Sequence, residues 1–438
     1  MRVSPAEGTS CRRHSDDAKG VVSIVRRYSA MSDSLSNHLD VALPRFLVSA
    51  YGPVLLASLG FGAVVPMLAI QALALGASGA MAAFIAALVG IGQVTGDLPA
   101  GVVAARIGER AALAGACAVD AVLLAAVFFT HQLWVLAVIV FLHGTAGSVV
   151  GLARQTYLTV AVPAHWRARA MSSLGGVMRV GYLVGPLLGA LIIHRHSVAS
   201  TFLLAGALSL MAAAVTLLMP DTPRQAGATE ANRTVSVWTV LGQHKHTLFT
   251  IGWGVLAIML VRSARQVFVP LWCDAHGINP ATTNLIFAAS MAAEVALFFP
   301  GGVITDRLGR WWATVPTMLI MGTCFALMPV THTVLTITVV SALLGIGNGI
   351  SSGIVSTLGA DVSPDIGRPQ FLSGWRIFVD VGSATGPLVI SAVTALVSLA
   401  GSAFALGAIG FLGAAQLARL LPRHGPVPQS KPRPSGAG

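Results

Sequence analysis

Twelve runs of mostly apolar residues follow one another along the chain, at 46–68, 81–103, 110–130, 134–160, 172–194, 199–219, 248–272, 282–304, 312–330, 334–358, 372–396 and 400–420. A helix rises about 1.5 Å per residue and a bilayer's hydrocarbon core is about 30 Å thick, so each run is long enough for one crossing. Lipid offers no hydrogen bonds, so a crossing segment must satisfy its own backbone, as a helix does. The predicted fold class is all-α, a polytopic membrane protein of twelve transmembrane helices. The longest polar connection, 220–247, divides the spans six and six. The pattern predicts a disordered cytoplasmic segment over 1–44, six-helix bundles over 45–219 and 248–420 joined by a cytoplasmic linker, and a disordered cytoplasmic tail over 421–438. Met31 opens a segment that reads directly into the first span, so translation from Met31 is one expectation for residues 1–30.

Composition agrees with lipid exposure. Hydrophobic residues make up 55% of the 438 and charged residues 10%, against about 25% charged in soluble domains. The net charge of +11 does not imply a nucleic-acid partner, because the basic residues fall in short clusters between apolar runs and form no continuous basic surface. Cys11, Cys117, Cys273 and Cys324 form no C-x-x-C pair, so neither a disulfide framework nor a metal site is expected. The first 44 residues hold no signal-peptide h-region. No Walker A pattern and no clustered catalytic constellation occurs, so no cofactor and no enzymatic activity are predicted.

Of the 27 Lys and Arg, 21 fall in the termini and alternate loops on one side, Arg195 alone falls on the other, and five lie within spans. Basic residues concentrate on the cytoplasmic side. Both termini are therefore expected in the cytoplasm, and the protein in the cell (inner) membrane.

The two halves superimpose with one constant offset of 201: Pro99 on Pro300, Gly101 on Gly302, Arg106 on Arg307, Gly108 on Gly309, Gly144 on Gly345, Pro163 on Pro364, Arg167 on Arg368, and Gly181, Gly185 and Pro186 on Gly382, Gly386 and Pro387. An offset that contains an even number of spans gives parallel repeats about an axis along the membrane normal, with the substrate site near the midplane between them.

Two of these repeated stretches resemble a known family. Gly101–Arg110 and Gly302–Trp311 resemble the G-x-x-x-D-R-x-G-R-[RK] loop of the major facilitator superfamily. The second copy is nearly complete; the first departs at Ala105 and Glu109. Gly181–Ala190 resembles the G-x-x-x-G-P-x-x-G-G motif in the fifth span of that family's drug:proton antiporters, with Ala190 in place of the last glycine. The resemblance covers roughly residues 45–420. It implies a cytoplasmic gate at Gly101, Arg106, Gly302, Asp306, Arg307, Gly309 and Arg310, whose charges bind helix ends or opposite charges of the other half. The alternative for these charges is topogenesis alone. It also implies a smooth stripe of Gly181, Gly185 and Gly189, with Pro186 interrupting the helix, in close contact with span 8. The alternative there is ordinary small-residue packing.

Nine charges remain inside spans: Arg154, Arg179, Arg262, Arg265 and Arg376 against Asp97, Asp120, Glu294 and Asp380. At about 2.5–3.5 kcal/mol each on insertion scales, nine facing lipid would cost on the order of 25 kcal/mol, so they must pair or face a wet cavity. Asp97 and Arg376 lie about 10 Å and about 8 Å from the inner ends of spans 2 and 11, which meet in the resembled family; they are the first expected pair. The matched contact of spans 5 and 8 suggests Arg179 with Glu294, and Arg154 is a third candidate ion-pair partner. Asp97, Glu294 and Asp380 are the candidate proton carriers: a carboxylate whose arginine moves away in a dry site can neutralise itself with a proton. Static ion pairing is the competing reading. Arg262 and Arg265 share a face of span 7 and either bind an anionic substrate group or neutralise Glu294 or Asp380. Tyr182 is a candidate cavity residue. Trp253, Trp272, Tyr157, Phe298 and Phe299 read more simply as packing or interface anchors, and His143 as a hydrogen-bonded packing residue. Asp120, mid-span on a peripheral helix, has no evident partner.

The resulting expectation is a proton-coupled exporter of small amphiphilic or hydrophobic organic compounds, working as a monomer by alternating access. Its partners are the small-molecule substrate, protons and the lipid bilayer. The alternatives are symport of a small metabolite into the cell and, more remotely, a non-transporting sensor or membrane enzyme.

Overall fold

The computed structural model describes residues 51–162, 167–219, 237–364 and 367–423. The expectations for residues 1–44, for most of the linker and for the tail lie outside this set, as do Cys11, Met31 and the Pro163 match. The described residues from 53 to 423 belong to one compact unit, and of the preceding unit only Tyr51 and Gly52 are described. Twelve helices among the described residues are long and apolar enough to span a membrane, and no described residue is in a strand. They are α1 Tyr51–Ala74, α2 Gly79–Ile107, α3 Glu109–Phe129, α4 Leu133–Ala161, α5 Arg167–Arg195, α6 Val198–Leu217, α7 Lys245–Ala275, α8 Pro280–Arg307, α9 Arg310–Leu327, α10 Val334–Val362, α11 Arg368–Leu396 and α12 Leu399–Leu420. A short helix, Val237–Gln243, precedes α7. The linker therefore ends in ordered structure that apolar periodicity over so few residues does not announce.

The 201-residue offset reappears in packing. In the first half α2 packs with α4 and α3 with α6, and in the second α8 packs with α10 and α9 with α12. Matched positions perform matched tasks. Ser78 caps α2 by accepting from the Met81 amide at 3.3 Å, and Asn279 caps α8 by accepting from the Thr282 amide at 2.8 Å; these side chains occupy amides that a helix start leaves free. Gly108 and Gly309 turn the chain between helices at φ +89° and +100°, a region that costs a residue with a Cβ. The halves meet through α2 against α11 and α5 against α8.

These cross-half contacts are tight toward one end. Ser391 Oγ donates to the Ala80 carbonyl at 2.8 Å. A Cβ on Gly189 would lie 2.7 Å from Asn284 Nδ2, and one on Gly90 2.7 Å from Ala384 Cα. Toward the other end of the same helices, a Cβ on Gly175, Gly176 or Gly302 would meet nothing within 4 Å.

Helix α10 is interrupted. Its two pieces, Val334–Ile350 and Ile354–Val362, are joined through Ser351, Ser352 and Gly353, the last at φ +88°. Unwound backbone at membrane depth is tolerated where it is buried in protein or lines a cavity, and here Ser352 and Gly353 line one.

Candidate transport cavity

Two adjoining cavities occupy the centre and share Phe61, Gln93 and Tyr182 in their walls. One, about 250 Å³, is lined mainly by the first half and reaches Arg376 and Asp380 of α11. The other, about 400 Å³, lies between the halves, with Arg179 of α5 on one side and Arg262, Glu294 and the α10 break on the other. Volumes of this order suit small organic ligands.

Arg376 stands where the halves touch. Its Nη2 lies 3.3 Å from Asp97 Oδ1 on α2, and its Nε 3.2 Å from Asp380 Oδ2 one turn along α11. One guanidinium thus serves two carboxylates, and the cluster carries a net negative charge when both are ionised. Arg376 remains 44% exposed, so water reaches the cluster.

Glu294 is held differently. Its Oε2 lies 2.7 Å from Nη2 of Arg265 on α7, which is 2% exposed. Arg265 Nη1 also donates to Ser290 Oγ at 2.9 Å, and Ser290 Oγ donates to the Ser341 carbonyl at 2.5 Å. The expected Arg179–Glu294 pair is therefore replaced by Arg265–Glu294. Helices α5 and α8 do pack together, but Arg179 lies over the Phe298 ring, 4.1 Å from its centroid. The contact of spans 5 and 8 suggests pairing Arg179 with Glu294, but rotation about the helix axis turns Glu294 towards α7 instead. Of the two uses expected for the α7 arginines, the structure bears out neutralisation of Glu294, by Arg265. Arg262 Nη2 donates to the Ser351 carbonyl at 2.6 Å and to its hydroxyl at 2.5 Å, at the α10 break.

Arg154 lines the smaller cavity, its Nε buried and without a hydrogen-bond partner. Among the described residues no carboxylate forms an ion pair with it, which corrects its assignment as an ion-pair partner. Asp120 does have partners that the sequence did not indicate: His143 Nδ1 on α4 lies 2.5 Å from its Oδ1, and Ser209 Oγ on α6 donates to its Oδ2 at 2.8 Å. No motif spacing links positions so far apart; the available hint was an acid and a histidine both stranded mid-span.

The glycine stripe of α5 also needs correction. A Cβ on Gly181 would sit 2.4 Å from Ser58 Cβ, and one on Gly185 2.4 Å from the Leu59 carbonyl oxygen. The stripe packs chiefly against α1 of its own half; Gly189 alone of the three reaches α8, at Asn284. The repeat does the same, with Gly382 and Gly386 against Leu256 and Leu260 of α7. Glycines at four-residue spacing let two backbones approach, but the spacing does not say which neighbour uses the face.

At the α8–α9 turn, Arg310 Nε lies 2.8 Å from Asp361 Oδ2 on α10, and its Nη1 donates to the Thr305 carbonyl at 3.0 Å. Asp306 is a distant, exposed neighbour at 3.9 Å, and Arg307 is exposed. Arg310 thus binds a helix end, as one expectation had it, while the carboxylate it grips belongs to its own half and not to the other. Asp361 had not been singled out. The matched positions in the first half are Glu109 and Val160, which do not repeat the Arg–Asp pair. Arg110 instead donates to the Leu217 carbonyl, tying α3 to α6.

Trp272 is not an interface anchor. It is 6% exposed, stacks on Phe268 and donates from Nε1 to Thr331. Tyr157 is buried, whereas Trp253 and Phe299 are exposed. Cys117, Cys273 and Cys324 are free and buried.

A family model described as Major Facilitator Superfamily matches residues 54–365 and 251–437. A multi-drug resistance efflux pump PmrA homolog of Lactococcus lactis subsp. lactis (strain IL1403) is 25% identical over 243 residues, covering 52% of this chain. The match spans 58% of that relative's length. Among solved structures, a POT family transporter in complex with 5-aminolevulinic acid matches with a TM-score of 0.70 at 12% identity, over 86% of this chain and 96% of that one. A D-xylose-proton symporter matches with a TM-score of 0.65 at 15% identity, over 86% and 97%. At such identities these two structures show the fold alone.

Proposed function

We propose that this chain, which belongs to the major facilitator superfamily, is a proton-coupled exporter of small amphiphilic or hydrophobic organic compounds. It works as a monomer by alternating access, with both termini in the cytoplasm of a cell whose inner membrane it spans. The observation that carries this reading is the Asp97–Arg376–Asp380 cluster. Asp97 belongs to the first half and Arg376 with Asp380 to the second, so movement of the halves must remake it. The multidrug efflux relative and the fifth-span motif favour export over uptake.

With the termini inside, the ends carrying Gly175, Gly176 and Gly302 face the cytoplasm, and the tight ends near Ser391 and Asn284 face outward. The conformation is then inward-facing, and substrate enters from the cytoplasm. Two carboxylates share one guanidinium, so one proton removes the surplus negative charge and still leaves an ion pair. Protonation of Asp97 weakens the tie between the halves; protonation of Asp380 returns Arg376 wholly to Asp97. Either step changes how strongly the halves hold together, which is what proton coupling requires. Glu294 fits the carrier role less well, because its arginine sits in the same half and moves with it.

Efflux of a fluorescent dye from proteoliposomes under an imposed pH gradient tests the assignment. Asp97→Asn and Asp380→Asn should lose pH-driven movement while keeping exchange of dye across the membrane. Undiminished pH-driven efflux in both variants would sink the proton assignment, and dye movement down the proton gradient would replace export by symport.

A further inference from the structure

We infer that the larger cavity is built for an organic anion, its acidic head held between Arg179 of the first half and Arg262 of the second. The inference rests on the transport reading above and names the substrate class.

The buried charges support it once their partners are assigned. Glu294 is taken by Arg265, Asp97 and Asp380 by Arg376, and Asp120 by His143. Among the described residues no carboxylate lies within ion-pair distance of Arg154, Arg179 or Arg262. Two of these three, from opposite halves, line the same cavity. The acid in that cavity's wall is Glu294, which Arg265 already neutralises. The balance around the cavity is therefore two positive charges, an arrangement that repels a cationic amphiphile and attracts an anionic one.

Hydrogen bonding points the same way. Arg179 Nε, Arg262 Nε and Ser352 Oγ are all buried with no hydrogen-bond partner. A surplus of donors calls for a ligand rich in acceptors, such as a carboxylate, sulfonate or phosphate ester. Arg262 presently donates to the neutral carbonyl of Ser351 at the α10 break. An ionised oxygen is a stronger acceptor for a guanidinium, so an entering anion can draw Arg262 off that carbonyl and transmit its arrival to α10. Arg179 lies over Phe298, a soft contact that an anion can likewise replace. The rings of Phe61 and Tyr182, 5.3 Å apart where the two cavities join, offer a surface for the ligand's apolar body.

The arrangement also links loading to movement. Without substrate, two like charges oppose each other across the halves and resist closure of the empty cavity. A bound anion turns that repulsion into a bridge, so the loaded carrier closes more readily than the empty one.

The test uses the full chain, purified in nanodiscs, and two xanthene dyes of similar body and opposite charge, fluorescein and rhodamine 6G. Binding is read by fluorescence polarisation. Fluorescein should bind the wild type more tightly than rhodamine 6G. Arg262→Gln and Arg179→Gln should each weaken fluorescein by about tenfold, the loss expected for one charge-assisted hydrogen bond, and leave rhodamine 6G unchanged or tighter. If Arg262→Gln fails to fold, Arg179→Gln and the conservative Arg262→Lys carry the same comparison. Tighter binding of rhodamine 6G, no binding of fluorescein, or fluorescein affinity unaltered in the variants overturns the anion assignment. Fluorescein flux in proteoliposomes separates the two claims. Binding without flux defeats the transport reading and leaves the anion site, whereas pH-driven flux of rhodamine 6G without fluorescein binding does the reverse.

Discussion

Arg265–Glu294 and Asp97–Arg376–Asp380 use the same residue types within one membrane protein, yet their settings oppose each other. The first pair is one to one, lies within the second half, and is almost sealed, with side chains 2% and 11% exposed. Further partners fix Arg265 through Ser290 to the α10 backbone. The second cluster is one to two, joins the halves, and is reached by water, with Arg376 44% and Asp97 25% exposed. A buried ion pair whose partners move together acts as a structural fastener. One whose partners belong to bodies that move apart can report and drive that movement. The role of an intramembrane charge thus depends on where its partner is anchored.

Four variants probe this contrast. Arg376→Gln removes the shared cation from both carboxylates and from the junction of the halves. pH-driven transport in proteoliposomes should fall to the level of empty liposomes, while the protein still folds, because water can solvate the two acids. Glu294→Gln should do the opposite. It leaves Arg265 charged, buried and unpaired, at a cost of about 3–5 kcal/mol. Thermal unfolding in detergent should show a clear fall in Tm, with pH-driven transport per folded molecule retained. A double replacement, Arg265→Met with Glu294→Leu, should recover much of the lost stability. Asp120→Asn is the mildest. It converts the contacts to His143 and Ser209 from charge-assisted to neutral hydrogen bonds, and should cost about 1–2 kcal/mol in the same unfolding assay. A larger loss of transport than of stability in that variant would move Asp120 from the fastener class to the coupling class.

The sequence carried the fold further than it carried the site, for identifiable reasons. Span lengths, the six-and-six division and the 201-residue offset all follow from one-dimensional periodicity, and the matched caps at Ser78 and Asn279 show how faithfully the repeat is kept. Depth could also be read, which is why Asp97 and Arg376 emerged as a pair. Rotation about a helix axis could not. Arg179 and Glu294 face different neighbours although their helices touch, and the Gly181–Gly185 stripe serves α1 where span 8 was expected. Asp361 escaped notice because it sits at a span end, where a charge needs no explanation. The α10 break at Ser351–Gly353 left no proline or charge to mark it, only a glycine in a chain that has 47 of them.

The proposed coupling exchanges proton entry at the Asp97–Arg376–Asp380 cluster for substrate exit. Its most direct test is the direction of proton movement when substrate moves. Proteoliposomes containing the purified protein and the pH-sensitive dye pyranine are given a substrate gradient and no initial pH gradient. Protons should move opposite to substrate in the wild type, and Asp380→Asn should abolish the proton signal while substrate exchange continues. Substrate movement with no proton signal, protons travelling with the substrate, or an unchanged signal in Asp380→Asn would contradict it.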